Sequence, residues 1–332
     1  TAYNCFVSGA IEDSMDSIMG RATDAAETMR RGGGIGYDFS RLRPRGDRIK
    51  SLDSRASGAV SFMQIFDAVC QTIASSGHRR GAQMGVLRVD HPDIEQFITA
   101  KNDGTSLTGF NISVGITDEF MRCLEKKEPF PLQFEGRVHE EVDPVALWDM
   151  IMRSTWDWAE PGVLFIDTIN KMNNLYYCEN IEATNPCGEQ PLPPYGACLL
   201  GSFNLTKYVG AGAFDYGLFT GDIHHVVRAM DNVIDRTIYP LEEQEKEAKN
   251  KRRMGLGVTG LANAGEMCGM PYASEEFMKF STKVLKTLRD HTYGASSLLA
   301  KEKGSFPLYD KDKYIEGKFF KTLSTWVQDQ IK

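Results

Sequence analysis

Residues 183–205 place an amide, a thiol and a carboxylate at two-residue spacing, in Asn185, Cys187 and Glu189. A second thiol, Cys198, follows in the same segment. The four prolines of the segment exclude a helix through it. In an extended segment, side chains two positions apart point to the same side. The spacing therefore predicts that the amide, the thiol and the carboxylate converge on one small volume suited to proton transfer and sulfur chemistry.

The chemistry of this thiol follows from its neighbours. A thiolate nucleophile is usually activated by a nearby histidine, and no histidine lies within thirty residues of Cys187. A carboxylate beside a thiol raises the pKa of that thiol, because two negative charges repel each other. The pattern therefore favours a cysteine that reacts in its neutral form, by losing a hydrogen atom. A buried structural cysteine is the alternative for Cys187, and for Cys198 taken alone the two interpretations are about even.

The composition narrows the class of protein. The chain has 332 residues and a net charge of −7, so a basic footprint for nucleic acid is not expected. No apolar run approaches the ~18 residues that a membrane-spanning helix needs, and no membrane partner is expected. Seven cysteines without a CxxC pair predict neither a disulfide framework nor a zinc ribbon, and no metal site is predicted. These features are typical of a protein of the reducing cytoplasm.

The apolar periodicity predicts strands that alternate with helices. Helices are predicted over 9–31 and 221–249, and buried strands over 84–90 and 111–116. Residues 252–267 are predicted to form a strand, a turn and a helix. Their GLGVTG run matches a dinucleotide-binding fingerprint, but no buried strand precedes it, so close packing of strand and helix is the preferred interpretation. Alternating strands and helices favour an α/β fold with parallel strands.

Segment 183–205 resembles the finger loop of ribonucleotide reductase catalytic subunits. Further segments resemble the same family in the same order: NCFVSGAIEDSMDSI (4–18), RRGGGIGYDFSRLRPRG (30–46), SSGHRRGAQMGVLRVDHPDIEQFI (75–98), FNISVG (110–115), PGVLFIDTIN (161–170) and RRMGLGVTGLA (252–262). The resemblance spans nearly all of the chain. Segments 75–98 and 183–205 are most similar to the adenosylcobalamin-dependent (class II) branch.

The resemblance implies a ten-stranded α/β barrel, built from two parallel five-stranded halves around a central finger loop. Residues 1–332 are expected to form a single catalytic barrel domain that is incomplete at its C-terminal side. The finger loop is expected at 183–205, and nucleotide-specificity loops at 40–55 and 75–83. The sequence is therefore expected to be a partial sequence or one product of a split gene.

The resemblance also implies roles for individual residues. Cys187 would hold a transient thiyl radical and abstract the 3′-hydrogen of a ribonucleotide. Glu189 would take the proton of the 3′-hydroxyl group, and Asn185 would form a hydrogen bond to the substrate. Cys5 and Cys198 would be the reducing pair, which ends each turnover as a disulfide.

A second set of residues would bind nucleotides. In the family, the segment with Asp13 binds the ribose of an allosteric effector, a deoxynucleotide or ATP. Arginines would contact phosphates or bases, because the guanidinium group fits phosphate geometry. The full set of substrate- or effector-binding candidates is Asn4, Asp13, Arg43, Ser76, Arg79 and Arg80. Solvated side chains are the alternative for Asp13 and the arginines.

The resemblance leaves several alternatives open. The cofactor would be adenosylcobalamin, or none where a metal-containing partner subunit supplies the radical, as in class I. The expected partners are a thioredoxin- or glutaredoxin-type reductant, a second copy of the chain and a complementing C-terminal polypeptide. A thiol or glycyl-radical acyltransferase and a non-catalytic nucleotide-binding derivative are the other candidate functions.

Overall fold

A computed structural model of the chain describes residues 1–49, 53–73 and 81–332. The strands are β1 (Cys5–Val7), β2 (Gly34–Asp38), β3 (Arg48–Ile49), β4 (Ser54–Arg55), β5 (Gln83–Arg88), β6 (Phe110–Ile116), β7 (Phe130–Phe134), β8 (Arg137–Val142), β9 (Gly162–Phe165), β10 (Ala183–Thr184), β11 (Pro191–Leu192), β12 (Ala197–Asn204), β13 (Val209–Gly210), β14 (Ala213–Phe214) and β15 (Met254–Thr259). The α-helices are α1 (Met15–Arg30), α2 (Ala59–Thr72), α3 (Ile94–Ile98), α4 (Asp118–Lys126), α5 (Pro144–Trp158), α6 (Ile166–Met172), α7 (Tyr216–Arg236), α8 (Glu242–Lys251), α9 (Leu261–Met267), α10 (Glu275–Lys303), α11 (Lys311–Glu316) and α12 (Thr325–Ile331). Across these ranges, no helix combines the length and the apolar character needed to cross a bilayer.

Within the described ranges, seven strands form the central sheet, in the order β15-β12-β1-β2-β5-β6-β9. The five strands from β1 to β9 are parallel. The strand β12 pairs antiparallel with β1 and parallel with β15. Among the described residues, the sheet therefore consists of a parallel set of five strands and an oppositely directed pair, β12 and β15. The predicted α/β fold with parallel strands is confirmed.

The two faces of the sheet have different partners. On one face, side chains such as Phe6, Ile35 and Phe110 join the main hydrophobic core with helices α1 to α5. On the other face, Cys5 and Cys198 belong to a small cluster with the β10–β11 hairpin. Because side chains alternate along a strand, neighbouring residues such as Cys5 and Phe6 serve opposite faces. The hairpin segment is thus held on the face opposite the main helices.

The hairpin lies very close to the sheet. A methyl group on Gly36, in the middle of β2, would lie 1.7 Å from the carbonyl oxygen of Thr184 in β10. A methyl group on Gly34 would lie 2.7 Å from the Cγ atom of Pro186. Real carbon–oxygen contacts are far longer, so only glycine at position 36 allows this approach. The glycines of β2 therefore set the height of the hairpin above the sheet.

We expect Gly36→Ala to destabilise the protein by about 3 kcal/mol or more, because the backbone of β10 must move to make room. The midpoint of urea unfolding measures this loss. Gly20→Ala in α1 is the matched control, since nothing lies within 4 Å of the added methyl group. Alanine in a helix should stabilise by roughly 0.5–1 kcal/mol at this position. Equal midpoints for Gly36→Ala and the wild type would contradict the close approach.

Two helix predictions were partly wrong, one at its start and one in its middle. The first helix begins at Met15 and not at residue 9, because the hydroxyl group of Ser14 accepts a hydrogen bond from the backbone of Ser17 and caps the helix. The helix predicted over 221–249 is two helices, α7 and α8, with Pro240 between them. A proline cannot donate a backbone hydrogen bond, and it disfavours helical geometry in the residue before it.

Residues 252–267 form a strand and a helix as predicted, in β15 and α9. The GLGVTG run lies largely inside the strand. Only Gly260, with φ +68°, occupies the turn that precedes α9. A dinucleotide fingerprint instead follows a strand and wraps a phosphate. The structure therefore agrees with the packing interpretation of these glycines.

Candidate active site

Cys187 lies at the tip of the β10–β11 hairpin, in a tight turn. The backbone N–H of Gly188 donates to the carbonyl oxygen of Asn185 over 3.0 Å, and Gly188 has φ +82°. The N–H of Asn185 donates to the carbonyl oxygen of Gln190 over 3.2 Å and closes the loop. The expected extended segment is therefore wrong, because these bonds fold residues 185–190 into a turn. Cys187 and Glu189 are exposed at this tip.

Asn185 does not share the exposed side of the turn. Its side chain is completely buried. Its Oδ1 atom accepts a hydrogen bond from the backbone N–H of Gln190 over 2.9 Å. Its Nδ2 atom is buried without a hydrogen-bond partner among the described residues. Asn185 thus braces the turn from inside and keeps one costly, unsatisfied donor.

Cys5 and Cys198 lie directly opposite each other. They are register partners on the antiparallel strands β1 and β12, at the junction between the two parallel sets. Residues opposed in this way have Cα atoms about 4.5–5.5 Å apart and side chains on the same face. This spacing falls within the range that a disulfide requires. The structure therefore brings together two thiols that are far apart in the sequence.

Electrostatics connect this pair to the hairpin. Burial, followed by the neighbouring Cys5 and Glu189, raises the pKa of the Cys198 thiol to about 12, while Arg253 opposes the increase. Glu189 therefore lies near Cys198, although it is exposed at the turn. A methyl group on Gly255 would lie 3.4 Å from the Cys198 sulfur and 2.8 Å from Nε2 of Gln190. The residues after Cys187 in the turn thus pack beside the pair.

The high pKa of Cys198 predicts its reactivity. In the reduced protein, only a very small fraction of Cys198 thiols is ionised at pH 8, so alkylation by iodoacetamide should be very slow and should accelerate up to pH 10. Glu189→Gln removes a negative charge and should accelerate the reaction of Cys198 at a given pH. Glu276→Gln, on the far helix α10, is the matched control. Peptide mass spectrometry measures each site. Alkylation of Cys198 at pH 8 as fast as that of the exposed Cys178 would contradict the assignment.

Asn4 lies at the same end of the sheet as the hairpin tip. Its carbonyl oxygen accepts a hydrogen bond from Gly34 over 2.7 Å, and Gly34 contacts the ring of Pro186. The side chain of Asn4 is exposed. The amino ends of the parallel strands therefore gather Asn4, the turn and the cysteine pair.

Asp13 and Arg43 lie at the opposite end of the strands, after β1 and β2. The Nε atom of Arg43 donates to Oδ2 of Asp13 over 2.6 Å, and the backbone N–H of Arg43 donates to Oδ1. Asp13 also lines an open cavity of about 540 Å³. The other lining residues are Glu12, Ser40, Arg41, Arg88, Asp90, His91 and residues 133–136. Of the predicted nucleotide-binding residues that the structure describes, Asn4 therefore lies at one end of the sheet, and Asp13 and Arg43 lie at the other.

Three predicted residues, Ser76, Arg79 and Arg80, lie outside the described residues.

Part of the cavity wall was not predicted from the sequence. The β7–β8 hairpin contributes residues 133–136, and its turn has φ +48° at Glu135 and φ +77° at Gly136. Glycine after a short apolar alternation at Phe130 and Leu132 is a hairpin signal that could have identified it.

Comparison with known proteins agrees with this geometry. The family described as ribonucleotide reductase, barrel domain, matches residues 3–330. The vitamin B12-dependent ribonucleoside-diphosphate reductase of Mycobacterium tuberculosis (strain CDC 1551 / Oshkosh) is 42% identical over 313 residues, covering 93% of this chain and 45% of the relative. The enzyme of the same name from Thermoplasma acidophilum is 40% identical over 309 residues, covering 92% of this chain and 40% of the relative.

A vitamin B12-dependent ribonucleotide reductase from Streptomyces clavuligerus is 31% identical over 339 residues, covering 93% of this chain and 35% of the relative. The chain thus spans less than half the length of these relatives. The match to the barrel domain nevertheless extends over almost every residue, and the α/β sheet with two oppositely directed parallel sets agrees with it. The chain therefore belongs to the ribonucleotide reductase barrel domain family.

Proposed function

We propose that this chain is the catalytic subunit of a ribonucleotide reductase, or its larger portion, and takes part in reducing ribonucleotides to 2′-deoxyribonucleotides. The observation that carries the proposal is the direct opposition of Cys5 and Cys198 on the face that holds the Cys187 hairpin. A buried dithiol beside an exposed thiol and a carboxylate provides two electrons, a hydrogen-atom carrier and a base. The finger loop is residues 183–205, and the specificity segments are 40–55 and 75–83.

The proposed reaction uses the thiol of Cys187, the carboxylate of Glu189 and the dithiol of Cys5 and Cys198. Cys187, as a thiyl radical, takes the 3′-hydrogen atom of the ribose, and Glu189 takes the proton of the 3′-hydroxyl group. The 2′-hydroxyl group gains one proton from the Cys5–Cys198 pair and leaves as water, and the second hydrogen of the pair goes to C2′. The pair gives up two electrons in total and becomes a disulfide. Glu189 returns its proton to the 3′-oxygen, and Cys187 returns its hydrogen atom to C3′. A dithiol reductant of the thioredoxin or glutaredoxin type then restores the pair.

Asn185 is proposed as a donor to the substrate. Its Nδ2 atom is buried and has no hydrogen-bond partner among the described residues, so an acceptor on the substrate would offset a cost that the protein otherwise retains. Because the side chain is covered, the contact requires a small movement of the turn. Asn4, exposed at the same end of the sheet, is proposed as a second substrate contact.

Adenosylcobalamin is the proposed cofactor, because the similar relatives are named vitamin B12-dependent. The residues present fit such a group, since the Cys187 thiol is exposed at the hairpin tip and reachable from outside. When bound, adenosylcobalamin supplies an organic radical that can take the hydrogen atom of a thiol. The turn around Cys187 is the part of this chain that would meet it. A class I enzyme, with a metal-containing radical subunit, is the alternative.

The cavity lined by Asp13 is the proposed effector site for a deoxynucleotide or ATP. Its wall offers carboxylates for ribose hydroxyl groups and arginines for phosphates. Arg43 and Asp13 pair with each other in the described form. A bound nucleotide would replace this pair with its own contacts.

The exposed side chains of Met15 and Met19 on α1 fit a face that a second copy of the chain covers.

The decisive experiment is a reduction assay. The chain is mixed with a polypeptide that corresponds to the unmatched part of the Mycobacterium tuberculosis relative, ribonucleoside diphosphates and a dithiol reductant. We expect deoxynucleotide formation with adenosylcobalamin. Turnover only with a metal-containing radical subunit would instead support class I. Effector binding without turnover under either condition would support a non-catalytic nucleotide-binding derivative.

A further inference from the structure

We propose that Asn111 is a positioning residue for Cys187, and this inference rests on the proposed function. Asn111 is the second residue of β6. Its Nδ2 atom donates a hydrogen bond to the carbonyl oxygen of Pro186 over 2.7 Å. That carbonyl belongs to the peptide group that joins Pro186 to Cys187. The bond therefore fixes the plane from which the Cys187 side chain projects.

The position of Asn111 follows from strand geometry. Its neighbours Phe110 and Ile112 join the main hydrophobic core on the helix face of the sheet. Asn111 must therefore point to the opposite face, where the hairpin lies. Its backbone is paired with Met84 in the middle of the parallel set, so the side chain starts from a rigid base. The residue is exposed on that face, as Cys187 is.

The turn is thus held from several directions. The ring of Pro186 packs on Gly34, and its carbonyl oxygen is held by Asn111. The N–H of Gly188 is held by Asn185. Cys187 lies between two fixed residues, while its own thiol stays accessible. This is the arrangement expected where a sulfur must keep one direction without being buried.

The hydrogen bond matters more for geometry than for folding. Asn111 is exposed, and a single hydrogen bond contributes little net stability. Hydrogen-atom transfer, by contrast, requires the reacting atoms within about 3–3.5 Å, and a displacement of about 1 Å can cost on the order of 10²-fold in rate. Loss of the Asn111 bond should therefore slow the chemical step and leave substrate binding nearly unchanged.

The test compares Asn111→Ala and Asn111→Asp in the complemented protein. We expect kcat to fall about 10- to 100-fold with KM within about threefold of the wild type, because only the direction of the thiol changes. Aspartate has the same shape but offers oxygen to an oxygen, so it should not rescue activity. Asn263→Ala is the matched control. Asn263 is an exposed asparagine on α9, and its side chain forms no hydrogen bond among the described residues.

A second measurement does not depend on reductase activity. Backbone amide hydrogen exchange at Cys187 and Gly188 should accelerate about tenfold in both Asn111 variants, with the thermal unfolding midpoint unchanged. Faster amide exchange in the Asn111 variants, together with a wild-type protein that shows no reductase activity, would contradict the proposed function and would still support the positioning role. Wild-type exchange in the Asn111 variants, or wild-type kcat in Asn111→Asp, would overturn the positioning role.

Discussion

Replacing Cys187 with serine is expected to abolish deoxyribonucleotide formation, with a loss on the order of 10⁴-fold or more. A serine hydroxyl group does not give up a hydrogen atom as a thiol does, so the radical step cannot start. The side chain is exposed at the hairpin tip, and a surface substitution of this kind changes stability by only about 0.5 kcal/mol. Radiochemical detection of deoxynucleotide in the complemented assay measures the loss.

Cys178→Ser is the control for this experiment, because Cys178 is also exposed but lies outside the hairpin. It should keep wild-type turnover. Effector binding to the cavity at Asp13 should be the same in both variants, since this cavity lies at the other end of the strands. Measurable reduction by the Cys187 variant would remove the thiyl radical from the mechanism.

The residue types of the hairpin could be predicted from the sequence, and its shape could not. Four prolines excluded a helix, and the structure agrees. The direction of each side chain depends instead on hydrogen bonds between Asn185 and residues 188 and 190. An amide that braces the turn from inside has the same sequence signal as one that faces a substrate. The burial of Asn185 inside the turn therefore could not be predicted from its spacing to Cys187 and Glu189.

Contacts between the sheet and the hairpin also could not be predicted from the sequence. Gly36 and Asn111 owe their importance to the backbone of a hairpin far along the chain, at Thr184 and Pro186. Nothing in their local sequence indicates that neighbour. Pro240 is a different case, because the local rule that disfavours helical geometry before a proline applies at the break between α7 and α8, although one continuous helix was predicted over 221–249. Local punctuation can thus be read from the sequence, while positioning contacts require the topology.

Replacing Cys5 with serine is expected to eliminate deoxynucleotide formation and to spare the first step of the reaction. Without the second thiol, Cys198 can supply only part of the two electrons that reduction requires. Cys187 would still abstract the 3′-hydrogen atom, so release of tritium from 3′-labelled substrate should continue. Cys198→Ser should behave in the same way, because the two residues face each other across β1 and β12. Product analysis and tritium release, measured on one sample, separate the two steps.

Cys70→Ser is the matched control, since Cys70 is 5% exposed and Cys5 is 6% exposed. Cys70 belongs to the core on the helix face, away from the hairpin. A serine in place of either buried thiol should cost a similar free energy of unfolding, roughly 1 kcal/mol. A loss of product in Cys5→Ser but not in Cys70→Ser therefore assigns the effect to redox chemistry. Full turnover by Cys5→Ser with a dithiol reductant would instead favour acyl transfer or another reaction that uses Cys187 alone.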